Sequence, residues 1–151
     1  MSRSLHNITT NSASLCAALH QAAFPPGEVW DEAAIGDLLA LPTTRGLLLL
    51  ENNVPLGFVL WQHGPDWGEV LTLAVLPAAR QQGIALELMQ AYEAALQSDG
   101  MLRSVLDVGA DNAAATALYN KTGYRVLTTR AAYYTRSDGR KVDALVLEKT
   151  L

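Results

Sequence analysis

The sequence predicts a mixed α/β domain on one central sheet, and a strand, a helix and their order predict it. Val70 to Val75 is almost unbroken apolar sequence, β-branched and aliphatic, with the character of a strand buried on both faces. Directly behind it the period changes. Ile84, Leu88, Ala91, Tyr92, Ala95 and Leu96 recur at helical spacing, so a helix over 82–98 buries one face against that sheet, and Gly100 marks its end. Shorter strand and helix patterns flank this unit on both sides, which gives a sheet of about six or seven strands with flanking helices.

In chain order, residues 4–9 read as a short strand, and Asn11 or Ser12 caps a helix whose inner face holds Leu15, Ala18, Leu19 and Ala22. Pro25, Pro26 and Gly27 stop it. A linker with Phe24, Glu28 and Trp30 leads to a helix over 31–41 that turns Ala34, Ile35, Leu38 and Leu39 inward, and Pro42 closes this unit. Strands over 46–51, 56–63 and 68–75 are joined by the short turns at Asn52, Asn53 and Pro55 and at Gly64, Pro65 and Asp66. They should pair as an antiparallel meander. After the central helix, a strand over 102–108 lies parallel to the one ending at Val75 by the handedness of such crossovers. A helix over 111–121, stopped by Gly123, and strands over 124–129 and 142–147 complete the chain.

Composition excludes several function classes. With 151 residues, half of them hydrophobic, the chain supports one domain with a real core. A net charge of −4 and no run of Lys and Arg argue against a nucleic-acid partner; Arg136, Arg140 and Lys141 make the one local basic patch on offer. The lone Cys16 lies in an apolar helical pattern and reads as a buried thiol, which fits a reducing cytoplasm. Residues 4–27 carry no charge, but polar residues interrupt them too often for a signal core, and no membrane-spanning run occurs. His6 and His63 lack companions at metal-ligand spacing, so no metal is expected.

Between strand and central helix stands Arg80-Gln81-Gln82-Gly83-Ile84-Ala85. Gly83 and the small Ala85 leave the backbone open where unpaired helix amides point outward, as in phosphate sites. It is neither a dinucleotide fingerprint nor a Walker loop. Downstream, an Asn at a helix start, a run of small residues, Ala117-Leu118-Tyr119 and then Gly123-Tyr124 form a second motif. In this order and separation the two motifs resemble the GNAT superfamily of N-acetyltransferases. His20, Ala23, Phe24, Pro25 and Trp30, together with Arg130, Tyr133, Tyr134, Asp138 to Arg140, Asp143 and Ala144, are similar to its RimI-type group, the ribosomal-protein alanine N-acetyltransferases. The likeness covers nearly the whole chain. Ala85 for a second glycine, Gly109 where a basic residue is common, and Pro26 to Val29 depart from it.

The resemblance implies a GNAT fold in which a splayed parallel strand pair binds acetyl-CoA. The backbone of Leu73, Ala74 and Val75 would pair with the pantetheine arm, Arg80, Gln81, Gln82, Gly83, Ile84 and Ala85 would cradle the pyrophosphate, and Asn112 would touch the arm. Tyr119 matches the tyrosine that protonates the departing thiolate; a phenol near pKa 10 is nearly matched to a thiol near 8.5. Asp107 matches the RimI-type base, one methylene shorter than the group's glutamate, and Glu69 matches the base of other branches. Asp107 is narrowly preferred. Phe24, Trp30, Tyr133 and Tyr134 would border the acceptor, and a protein N-terminus, such as that of a ribosomal protein, is the implied partner. Acetyl transfer to a small amine or a lysine, and a CoA-binding sensor without turnover, are the alternatives.

Overall fold

The computed structural model describes Ser2 to Leu151. Its strands are β1 (Arg3–Asn7), β2 (Thr44–Glu51), β3 (Val54–His63), β4 (Trp67–Val75), β5 (Arg103–Gly109), β6 (Arg125–Thr135) and β7 (Lys141–Thr150). They form one seven-stranded sheet in the order β1-β2-β3-β4-β5-β7-β6, antiparallel throughout except for the parallel pair β4–β5. Helices α1 (Ala13–Ala23) and α2 (Glu32–Leu39) cover one face, and α3 (Ile84–Ser98) and α4 (Ala113–Lys121) the other. The mixed α/β architecture is the one the sequence predicts.

Each face has its own core. Helix α3 sets Ile84, Leu88, Met89, Tyr92 and Leu96 against Val59, Trp61, Leu106 and Leu147. Burying each such side chain contributes roughly 1.5–3 kcal/mol. On the opposite face Cys16, Leu19 and Ile35 pack on Leu48, Phe58, Leu60 and Ala74. The buried Cys16 thiol is pushed up to about 11 by desolvation, so it stays protonated. Tyr124 fixes the start of β6: its hydroxyl donates to Ser104 Oγ (2.8 Å), which also contacts the Tyr92 hydroxyl (2.7 Å).

Several boundaries differ from the sequence reading. A single 3-10 turn over Thr10–Ser12 precedes α1; Ser12 stands at the N-cap position of α1, as the sequence suggests, but makes no side-chain cap bond to it, and its Oγ instead accepts from the Thr9 N–H (3.2 Å). Helix α2 ends at Leu39, and α3 begins at Ile84 because Gln81 (φ 62°) and Gly83 (φ 79°) are left-handed and end the loop, not the helix. Strand β6 runs to Thr135 instead of 129 by absorbing two register shifts against β7. The proposed basic patch is neutralised: Arg136 and Arg140 are ion-paired with acidic neighbours, and Lys141 Nζ donates to Thr135 Oγ1 (2.6 Å). Among the described residues no helix is long and apolar enough to cross a membrane.

Candidate active site

The site is built on the failure of two parallel strands to stay together. Strands β4 and β5 pair from Trp67 opposite Arg103 to Val70 opposite Leu106, and there the pairing ends. At the same level the β3–β4 register slips: Val70 faces Trp61 but Thr72 faces Leu60, so Leu71 is an extra residue. A bulge of this kind bends its strand. Beyond it, Leu73, Ala74 and Val75 still pair with β3 on one side, through Val59, Phe58 and Gly57, while the edge toward β5 has no strand partner. That edge offers backbone N–H and C=O groups to an extended ligand.

The window leads to an uncapped helix terminus. A 3-10 turn over Pro77–Ala79 and the two left-handed residues carry the chain to α3, whose first bond runs from Glu87 N–H to the Gly83 carbonyl (3.0 Å). The amides of Ile84, Ala85 and Leu86 therefore have no partner inside the helix. Gly83 makes no side-chain cap, and a Cβ there would meet nothing within 4 Å, so the space before the amides is open. Around the loop, Arg80 Nη2 donates to the Ala23 carbonyl (2.7 Å), Arg3 Nη2 to the Gln82 carbonyl (3.0 Å), and Gln82 Nε2 to the Ala78 carbonyl (3.3 Å). These bonds brace the loop from outside. The Arg80 guanidinium is thus held on the end of α1.

Titratable groups sit on opposite faces of the window. Gly68 lies against Leu96 of α3, and Leu106 and Val108 belong to the α3-side core. Alternation then sends Glu69 and Asp107 to the α1–α2 face. Burial and the Asp107 charge push the Glu69 carboxyl above the usual carboxylate range, with Arg130 opposing them. Tyr119 belongs to the other face. It is 6% exposed, its ring meets Tyr124 edge to face (centroids 5.6 Å), and desolvation pushes it up to about 12. It is therefore less closely matched to a thiol than an unperturbed phenol. Asn112 caps α4, its Oδ1 accepting from the Ala115 N–H (3.1 Å), which leaves the side-chain NH2 as its free donor.

The acceptor-side aromatics are positioned by less obvious residues. Tyr134 pairs with Val142, whereas Tyr133 falls in a bulge between Arg130 and Tyr134, where Ala132 is left-handed (φ 50°) and its N–H bonds to Asp143 Oδ1 (2.8 Å). Tyr133 is exposed and Tyr134 half-buried, with rings edge to face at 5.2 Å. Phe24 and Trp30 instead stack on His20, at 4.0 and 5.2 Å. His20 is buried. Its Nδ1 accepts from the Trp30 N–H (3.0 Å), its Nε2 lies 3.3 Å from Thr72 Oγ1, and burial pushes it down to about 4, so the ring is neutral. His20 is thus a packing residue. It also gives Phe24 and Trp30 a packing duty that sequence did not show.

The profile of the acetyltransferase (GNAT) family matches residues 14–124. The chain belongs to the GNAT family of acetyltransferases. Among GNAT relatives, the ribosomal protein bS18-alanine N-acetyltransferase of Escherichia coli K12 is 33% identical over 99 residues, 66% of this chain and 66% of that relative's length. The mycothiol acetyltransferase of Mycolicibacterium gilvum is 36% identical over 71% of this chain, but only 35% of its own length. The crystal structure of the ribosomal-protein-S18-alanine N-acetyltransferase from Escherichia coli superposes with a TM-score of 0.91 at 25% identity, over 99% of this chain and 94% of that one. The seven-stranded sheet is the GNAT fold.

Proposed function

We propose that the chain, acting as one domain over residues 1–151, moves the acetyl group of acetyl-CoA to the N-terminal α-amine of a protein, with a ribosomal protein as the natural class of acceptor. Cytoplasmic action goes with that acceptor. The observation that carries this reading is the window between β4 and β5, with two carboxylates on one face and a buried phenol on the other. A thioester in that window would present its carbonyl to an amine on the α1–α2 side and its sulfur to Tyr119 on the α3–α4 side. The edge of Leu73 to Val75 would hold the pantetheine arm, the Asn112 amide would donate to it, and the open amides of Ile84 to Leu86 would receive the pyrophosphate.

In this reading the neutral amine attacks the thioester carbonyl directly, so no acyl-enzyme forms. The C–N bond closes, the C–S bond breaks, and the Tyr119 hydroxyl donates to the departing thiolate. Burial keeps Tyr119 protonated at working pH, and the same burial raises the thiolate, which narrows the mismatch between them. The amine proton goes to the carboxylate pair. Glu69, pushed above the usual carboxylate range by burial and by the neighbouring Asp107, is suited to accept that proton, and Asp107 stands beside it on the same face. An α-amine of pKa near 8 costs under about 1 kcal/mol to deprotonate at pH 7.4, against about 4 for lysine, which suits a carboxylate base.

The test is thiol release from acetyl-CoA with peptides beginning in Ala, Ser, Gly or Met, their N-terminally blocked forms carrying lysine, and polyamines, with Tyr119→Phe as control. Release with free N-termini alone, reduced by the substitution, supports the reading. Release with blocked peptides or polyamines replaces the acceptor. Binding of acetyl-CoA without turnover of any acceptor replaces it with a sensor.

A further inference from the structure

Arg136, at the β6–β7 hairpin, ties together three segments that sequence keeps far apart. Its Nη1 donates to Glu28 Oε1 (2.8 Å) in the α1–α2 linker; its Nη2 and Nε donate to Asp111 Oδ1 (2.6 Å) and Oδ2 (3.1 Å) before α4. The guanidinium also lies 5.2 Å from the Tyr134 ring centroid. The Asp111 contact is bidentate, the strong form of this pair. The hairpin beneath it is closed by Arg136 N–H to the Arg140 carbonyl (2.9 Å) and Gly139 N–H to the Arg136 carbonyl (2.9 Å), so the arginine stands on a braced turn. Room for it is made by Gly109, where a Cβ would collide with Arg136 Nη2 and lie 2.7 Å from Asp111 Oδ1.

The two loops held this way face each other. A Cβ on Gly27 would be 3.7 Å from Ser137 Cβ, which is ordinary contact distance. One loop leads to Trp30 and the other follows the end of β6 that carries Tyr133 and Tyr134, while Glu69 and Asp107 lie on the sheet face they border. Without Arg136, Glu28 would lose its cation and Asp111 would keep only Arg140 Nη2, 4.0 Å away, so the two carboxylates would add negative charge to the rim and repel one another. The guanidinium therefore both spans the slot and balances its rim.

We infer that Arg136 is a positioning residue for the acceptor: its clamp on Glu28 and Asp111 sets the width of the slot between the α1–α2 linker and the Tyr133–Tyr134 arm. This rests on the proposed acceptor side of the site. The strand edge and loop of residues 73–86 share none of these contacts, and Asn112, next to Asp111, is held by its own cap bond from the Ala115 N–H (3.1 Å), so the clamp acts on the acceptor KM far more than on the acetyl-CoA KM.

The test is steady-state kinetics of wild type, Arg136→Gln, Arg136→Lys, Glu28→Ala and the Glu28→Ala/Arg136→Gln double variant, with the best peptide acceptor. The expected result is an acceptor KM raised about tenfold in Arg136→Gln, with kcat and acetyl-CoA KM within about twofold of wild type. The double variant should add little to Arg136→Gln, and Arg136→Lys should recover part of the loss. An unchanged acceptor KM, or equal losses toward both substrates, overturns the clamp. If Arg136→Gln does not fold, Glu28→Ala carries the same test with the Asp111 pair intact. If wild type turns over no peptide, the functional reading fails, and amide exchange over 25–30 decides the clamp alone. Faster exchange there in Glu28→Ala, with 84–96 unchanged, supports it, and equal exchange overturns it.

Discussion

The donor side and the acceptor side of the window are built from different material. The donor side is nearly all backbone and nearly all local: a strand edge over 73–75, left-handed Gln81 and Gly83, and the first amides of α3. The acceptor side is made of side chains gathered from Glu28, Glu69, Asp107, Asp111 and Tyr133 to Arg136. Dihedral angles thus set the first and charges the second. Substitutions that leave the backbone alone should spare donor binding, while isosteric changes of charge should damage acceptor chemistry.

The largest expected effect is the exception on the donor side. Tyr119→Phe removes the proton donor and keeps the ring packing on Tyr124, so kcat should fall by about a hundredfold or more with little change in either KM; a loss under about threefold would remove Tyr119 from the chemistry. Next come the carboxylates. Glu69→Gln should reduce kcat/KM by roughly tenfold or more. It should also abolish an acidic limb in the pH–rate profile of kcat/KM lying above an ordinary glutamate, because the raised group must lose its proton before it can accept another. Asp107→Asn should move that limb to lower pH, since the charge lifting Glu69 is gone. If only Asp107→Asn removes the limb, Asp107 is the base.

Smaller effects sharpen the contrast. Gly83→Ala meets no steric obstacle but strains a left-handed residue by about 1 kcal/mol, and should raise the acetyl-CoA KM several-fold without touching the acceptor KM. Arg80→Ala should change the acetyl-CoA KM by less than about threefold, because its guanidinium is engaged by the Ala23 carbonyl. His20 offers a stability test. Its folded-state value, about 4, lies below the ordinary 6.5, so the native state binds fewer protons than the unfolded chain between those values. Stability should therefore fall as pH drops from about 6.5 to 4, by up to roughly 3 kcal/mol. In His20→Gln, urea unfolding should show a flatter profile over that window.

The same division explains what could be read in advance. The strand to Val75, its parallel partner to Val108 and the loop through Gly83 were legible because periodicity and glycine placement encode them locally. Helix α3 starts two residues later than its apolar period suggests, because nothing in a glutamine announces the φ of 62° at Gln81. The aim of Tyr133 and Tyr134 depends on left-handed Ala132 and its bond to Asp143, an arrangement that alanine does not advertise. Phe24 and Trp30 resembled acceptor walls, yet each also stacks on His20, a partner fixed only by the fold. Gly109, which stood out as a departure from the family pattern, gains a reason once Arg136 arrives beside it from the distant hairpin.

The most direct test of the account is the location of the acetyl group, by fragment mass spectrometry, on a peptide carrying both a free N-terminal alanine and an internal lysine, after incubation with acetyl-CoA. The account predicts the acetyl group on the α-amine, and its loss with Tyr119→Phe. Acetyl found on the lysine, or α-amine acetylation undiminished in Tyr119→Phe, would contradict it.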